Sequence, residues 1–172
     1  WILSPGIAYL VSQPLGNTKT APANTHSQEL RSYARQIWRY FEDFVGESDH
    51  GLPPDHYQES PKSAVAHRTS PTNIGLYLLS IMGAWDFGYI GLSQVLNRVE
   101  KSLGSIEKLE KWHGHLYNWY DTKSLQPLQP FYISTVDSGN FVGYLVALRQ
   151  GILELLTSPA MDLQRWQAGL SH

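Results

Sequence analysis

Cysteine is absent from the 172-residue sequence. That excludes disulfide stapling and thiol chemistry, and it fits a reducing compartment. Charge is scarce and almost balanced, with 13 Lys and Arg against 15 Asp and Glu for a formal net charge of −2. With no run of basic residues, a general nucleic-acid surface is excluded, and so is an acidic tail. No uninterrupted apolar run approaches the roughly 20 residues of a membrane helix. The opening WILSPGIAYLVSQP is broken by Pro5 and Gly6, lacks the basic start of a signal peptide and does not begin with Met. It reads as the start of an excised piece, with residues 1–26 a connector from a preceding module. Also missing are a Gly-rich phosphate loop, a Gly-x-Ser-x-Gly elbow, a dinucleotide fingerprint and an aspartate-rich metal motif. No cofactor is expected.

What is present is helical. SQELRSYARQIWRYFEDFV, from Ser27, spaces Leu30, Tyr33, Ala34, Ile37, Trp38, Phe41, Phe44 and Val45 by threes and fours, with arginines between them. This predicts an amphipathic helix. GLSQVLNRVEKSLGSIEKLEKW repeats the pattern with Leu92, Val95, Leu96, Val99, Leu103, Ile106 and Leu109. Two other segments, PTNIGLYLLSIMGAWDF and SGNFVGYLVALRQGILELL, are apolar on all sides, which predicts enclosure by other helices. Small residues in them (Gly75, Gly83 and Ala84; Gly143, Ala147 and Gly151) would permit close approach. A last short helix is expected over 159–169.

The order is therefore amphipathic, buried, amphipathic, buried. Long loops (46–70 and 112–136) precede both buried helices, and loops beyond about 12–15 residues are uncommon unless they serve a function. If neighbouring helices are antiparallel, the two buried helices run the same way and both long loops emerge at one end. The predicted fold is all-α: residues 27–172 form helical hairpins that make a sector of an (α/α)6 toroid, incomplete in this chain.

Candidate site residues gather at that shared end. Ser70 and Pro71 read as N-cap and first position of the first buried helix, with His67, Arg68, Thr69 and Asn73 around its mouth. Function and plain structure compete here, since Arg68 pairing with a carboxylate and His67 satisfied within its loop are the simpler roles. In YNWYD, strand alternation sends Tyr117, Trp119 and Asp121 one way and Asn118 and Tyr120 the other. A ring face beside a carboxylate suits a pyranose, while packed aromatics would equally plug the end of a helical barrel. Asp137 is read as N-cap of the second buried helix with Asn140 at its third position. Asp55 and Glu59 are read as solvated loop carboxylates. His113 and His115, in an extended stretch, are not read as a metal pair, since no Cys or close carboxylate completes a site.

WRYFEDFV, LPPDHYQESPKSAVAHRTSPTNIGLYLLS and GHLYNWYDTKSLQPLQPFYISTVDSGNFVGYLVALRQG, in this order over Trp38 to Gly151, resemble the central region of bacterial cyclic β-1,2-glucan synthases. The resemblance implies a multidomain inner-membrane enzyme with three activities. One module polymerises glucose from UDP-glucose, a central glycoside-hydrolase-like toroid closes the glucan by transglycosylation, and a phosphorylase-like module trims it. This chain matches the opening part of the toroid, itself expected to be soluble and cytoplasmic. The nucleophile and acid/base glutamates are expected further along, so no catalytic residue is assigned here and the piece alone is expected to be inactive. By resemblance, Arg68, Thr69, Asn73, Trp119, Asp121, Asp137 and Asn140 contact substrate. The expected partners are β-1,2-glucan and the remaining domains of the same polypeptide, with self-association through bare apolar faces. The competing readings are a noncatalytic helical scaffold and, more weakly, a terpene-processing or phosphorylase toroid.

Overall fold

The computed structural model describes residues 24–157 together with Gly6, Tyr9 and Gly169. Apart from Gly169, the expected helix over 159–169 lies outside the described residues, as does the connector 1–26 up to residue 23 apart from Gly6 and Tyr9. By internal packing the chain divides into Trp1–Leu30 and Arg31–His172. The opening turns of the first helix belong to the first unit, and every other described element belongs to the second.

Four α-helices dominate: α1 (Asn24–Phe44), α2 (Pro71–Asp86), α3 (Leu92–Lys108) and α4 (Thr135–Thr157). α1 starts three residues ahead of the expected Ser27, and α3 ends at Lys108 and not at Trp112. The chain beyond α3 turns instead into a hairpin, β4 (Lys111–Trp112) with β5 (His115–Leu116). The long loops hold two further two-residue pairings, β1 (Tyr57–Gln58) with β2 (Ala64–Val65), and β3 (Arg68–Thr69) with β6 (Tyr120–Asp121). The molecule is mostly helical, with short ladders in its loops that helical periodicity does not reveal.

α2 is the centre of the core. Ile74, Tyr77, Leu78 and Ile81 are buried, and Trp38 of α1 and Val95, Val99 and Ile106 of α3 close over them. Each such aliphatic side chain removed from water contributes about 1.5–3 kcal/mol. Ser102 and Ser105, on the buried face of α3, donate to the carbonyls of Gly51 (2.8 Å) and His50 (2.6 Å). These bonds bind the first long loop to the helical body.

α4 packs against α2, and three contacts fix their relative direction. Thr72 bonds Asp137, Gly75 faces the Tyr144 ring, and Met82 meets Gly151. Both series of numbers ascend together, so the helices are parallel with their N-termini side by side. Asp137, Tyr144 and Gly151 recur every seven residues, one stripe of a helix. Gly75 and Gly151 are the close approaches, whereas Gly83 and Gly143 face open space.

Enclosure holds for most of α2, Leu76 being 46% exposed, but fails for α4. Leu148 is its only fully buried residue, while Val136, Val142, Val146 and Leu156 are 60–78% exposed. α2 covers one stripe of α4, and no described element covers the rest. Tyr33 and Ile37 of α1 are exposed for the same reason.

Candidate functional site

The two long loops meet in front of the paired N-termini of α2 and α4. The β3–β6 ladder joins them, with Arg68 opposite Asp121 and Thr69 opposite Tyr120. Ser70 caps α2 by accepting from the Asn73 N–H at 3.2 Å, and Pro71 occupies the first helical position, where a missing N–H costs nothing.

Asp55 is the hub of the first loop. Arg68 donates to its Oδ2 through Nε and Nη2 (3.1 and 2.9 Å), His56 Nδ1 lies 3.0 Å from the same oxygen, and Asn73 Nδ2 donates to Oδ1 at 3.3 Å. Burial pushes the Asp55 carboxyl up. The bonds from Arg68, His56 and Asn73 and the Arg68 charge outweigh this and hold it below the usual carboxylate value. Asp55 is therefore an ionised anchor and not a solvated loop carboxylate. A proton donor must stay protonated at working pH, so Asp55 is unsuited to that role. Glu59 is exposed.

Arg68 also lies over the Trp119 ring, 4.9 Å from its centroid, a cation–π contact. Burial along YNWYD alternates as expected: Asn118 and Tyr120 are buried, and Tyr117, Trp119 and Asp121 are half-buried. Asn118 links this segment to α4. With its amide oxygen toward Trp119 Nε1 (3.0 Å) and the Tyr132 hydroxyl (2.7 Å), its nitrogen donates to Asp137 Oδ2 at 3.1 Å. In the opposite orientation only the Tyr132 contact survives. We adopt the orientation that satisfies both ends. Asp137 Oδ1 accepts from Thr72 of α2, so one connected set runs Arg68, Trp119, Asn118, Asp137, Thr72.

Asp137 is not the N-cap. Ser134 Oγ accepts from the Asp137 N–H at 3.1 Å, and the Ser134 carbonyl accepts from Ser138 N at 3.0 Å, so Ser134 caps and Asp137 is third in the helix. Bonds with Ser134 and Thr72 hold the Asp137 carboxyl below its ordinary value despite burial. Asn140, three residues on and so on the same side of α4, is exposed.

Two predicted residues have structural duties. Asp121 Oδ1 accepts from the backbone N–H groups of Ser124 (2.7 Å) and Lys123 (3.0 Å) and from Ser124 Oγ (2.9 Å), closing a turn. The Ser124 backbone bond leads in lowering its pKa, with burial opposing. Thr69 is fully enclosed, and its hydroxyl is the one buried side-chain polar atom without a partner among the described residues. Its side chain offers no surface to a ligand, which corrects the expectation of a direct contact.

Beneath the site, Asp49 is buried and bonded by His67 Nδ1 (2.7 Å), Ser48 Oγ (2.8 Å) and Thr122 Oγ1. Burial pushes this carboxyl up, but the three bonds prevail and lower its pKa. His67 is thus satisfied within the loops, the simpler of its two readings. Asp49, Thr72 and Asn118 are not singled out by sequence reasoning. His113 and Gly114 take positive φ (48° and 85°) in the tight turn between β4 and β5, which replaces the expected extended stretch. Among the described residues no cluster of His, Asp and Glu is arranged to hold a metal, and no helix is long and apolar enough to cross a membrane.

The chain has counterparts among known proteins. Residues 32–144 match the family described as "Protein of unknown function (DUF3131)". The chain belongs to that family. It is also 43% identical over 165 residues to the cyclic beta-(1,2)-glucan synthase NdvB of Rhizobium meliloti (strain 1021). That alignment covers 95% of this chain but 6% of the synthase, and it bears out the resemblance carried by the motifs. Among solved structures, a glucoamylase-like protein of Bacteroides fragilis NCTC 9343 superposes on 87% of this chain with a TM-score of 0.65. It is 20% identical, and the match spans 35% of that chain, so the likeness speaks for the fold alone.

Proposed function

We propose that this chain is the opening part of the transglycosylase domain of a cyclic β-1,2-glucan synthase and that its rim holds the glucan. In this reading α1 and α3 are outer helices and α2 and α4 inner helices of an (α/α)6 toroid sector. Residues 27–172 belong to that domain, and 1–26 connect it to a preceding module. The observation that carries the proposal is the convergence of both loops on Arg68 and Trp119, in front of two parallel inner helices. Sequence similarity to the glucan synthase supplies the substrate.

Each rim residue has a definite part. Trp119 presents an apolar ring to sugar C–H groups. Arg68, half exposed, keeps Nη1 outside its pair with Asp55 and offers it to hydroxyls. Asn73, fixed through its nitrogen, leaves its amide oxygen as an acceptor. Asp137 orients the Asn118–Trp119 pair, and Asn140 extends the rim along α4. Asp121 and Thr69 shape the rim from behind. Asp55, Asp121 and Asp137 are all held ionised, which unsuits them as proton donors, and in this reading the segment binds and orients. The proton-transferring carboxylates belong to the continuation of the synthase.

Titration of the full-length synthase with β-1,2-glucan tests the reading. Trp119→Ala and Arg68→Ala should each weaken binding about tenfold, the equivalent of ~1.4 kcal/mol, with the thermal midpoint little changed. Unaltered affinity and turnover in both variants would discard the assignment. The scaffold alternative draws on the bare aliphatic face of α4 and predicts that outcome.

A further inference from the structure

Among the exposed apolar residues, two chemically distinct sets stand apart from those scattered over α1, α2 and α3. Along α4 they are aliphatic: Val136, Val142, Val146, Leu153 and Leu156. At the far end of the second loop they are aromatic, with Trp112, Phe131 and Tyr132 exposed by 55, 53 and 45%. With Tyr117 and Ile133 these rings line an open groove of about 400 Å³, inside the range of roughly 300–1,000 Å³ typical of ligand sites. No charged side chain lines it.

The groove is held in shape by its surroundings. Lys111 Nζ donates to the carbonyls of Ile106, Glu107 and Leu109, fastening the β4–β5 hairpin that carries Trp112 to the end of α3. The His113 ring stands edge-on to Trp112 at 4.4 Å. Tyr117 and Phe131 pack at 5.6 Å between centroids. The buried Tyr120 hydroxyl accepts from the Tyr117 N–H at 2.7 Å and donates to the Glu110 carbonyl at 2.6 Å.

We infer that this groove is a second glucan subsite, remote from the rim and continuous with it. The inference rests on the proposed function above. Continuity runs through Tyr132, whose hydroxyl meets the same Asn118 amide that bonds Trp119 and Asp137. Uncharged aromatic faces with phenol hydroxyls at their edges suit a neutral sugar chain, which presents C–H faces bordered by hydroxyls. Aliphatic stripes such as that on α4 suit another helix, and this contrast separates the two surfaces. A long glucan would engage rim and groove together, whereas a short one would engage the rim alone.

The test is calorimetric titration of the full-length synthase with β-1,2-glucans of graded length. Wild type, Trp112→Ala, Phe131→Ala, Trp112→Tyr and the rim variant Trp119→Ala are compared, with a thermal midpoint for each. Wild-type affinity should rise with length beyond the rim's span. Trp112→Ala and Phe131→Ala should erase that rise, weakening long glucans about tenfold and leaving short ones unchanged, while Trp112→Tyr retains it. Equal loss for long and short glucans, or a fall in thermal midpoint with the length dependence intact, would overturn the inference and mark the rings as covered by protein. A wild type that binds glucan without length dependence sinks the subsite alone. A wild type that binds no glucan sinks the proposed function with it.

Discussion

Gly75 offers the sharpest test of the packing that brings the loops together. A Cβ built on it would lie 2.7 Å from Cγ and 2.9 Å from Cε2 of Tyr144, and closer still to Cδ2. Ordinary carbon contacts sit at about 3.5–4.0 Å, so the added methyl would enter the ring. Because Cγ sits near the root of the side chain, turning the ring tip aside does not clear the clash. Either Tyr144 changes rotamer or α2 and α4 separate. Overpacking of this kind costs about 1–3 kcal/mol, against which Ala gains about 1 kcal/mol over Gly in a helix. Gly75→Ala should therefore lose up to about 2 kcal/mol net. Gly83 is an internal control on the same helix: its Cβ would meet nothing within 4 Å, so Gly83→Ala should gain up to about 1 kcal/mol. Urea unfolding followed by circular dichroism reads both, through shifted midpoints at unchanged slope. Removing the ring in Gly75→Ala/Tyr144→Ala should recover part of the loss as a favourable coupling. If Gly75→Ala stabilises as Gly83→Ala does, α2 and α4 are not in the contact described.

Acid titration and self-association probe two other parts of the structure. The Asp49 pKa is lowered from 3.8 in the folded chain, so its stabilisation is present above that value and is lost as pH falls through the folded pKa. Asp49→Asn should cost about 1.5–3 kcal/mol for each charge-assisted bond lost at pH 7 and flatten the acid limb of stability against pH; parallel curves for variant and wild type would refute this. The bare face of α4 should drive self-association of the isolated chain, read by light scattering and hydrophobic-dye binding. Val142→Glu with Val146→Glu should reduce both readouts, and a wild type that is monomeric and dye-free would contradict the expectation.

The parts of the fold legible in the sequence are those governed by local chemistry. Ser70 and Pro71 mark the start of α2 because a cap and a proline act within one turn. Alternation in YNWYD survives into the burial pattern because it needs only an extended backbone. The start of α4 lies one turn ahead of its expected place since Ser134 and Asp137 are both good caps. The choice between them is made by Thr72 and Asn118, which hold Asp137 from elsewhere in the chain. Asp49 and Asp55 are illegible for a related reason. Each is 18 or fewer positions from its first-loop partners, but the Asp49 network closes only when Thr122 arrives from the second loop. Periodicity likewise marks α4 as apolar all round without revealing that only one stripe of it has a described neighbour.

The β3–β6 clasp also imposes an order on synthesis. Arg68 and Asp121 are separated by about 50 residues, which a ribosome adds in about 3–10 s at ordinary rates. Late in that interval, once α3 has been made, α2 can meet α1 and α3 while its polar crown is still unfastened, with Arg68 lacking the ring it will later cover. The residues of α1, α2 and α3 are thus all in place before the ladder can close, and only translation past Asp121 supplies the strand that fastens it.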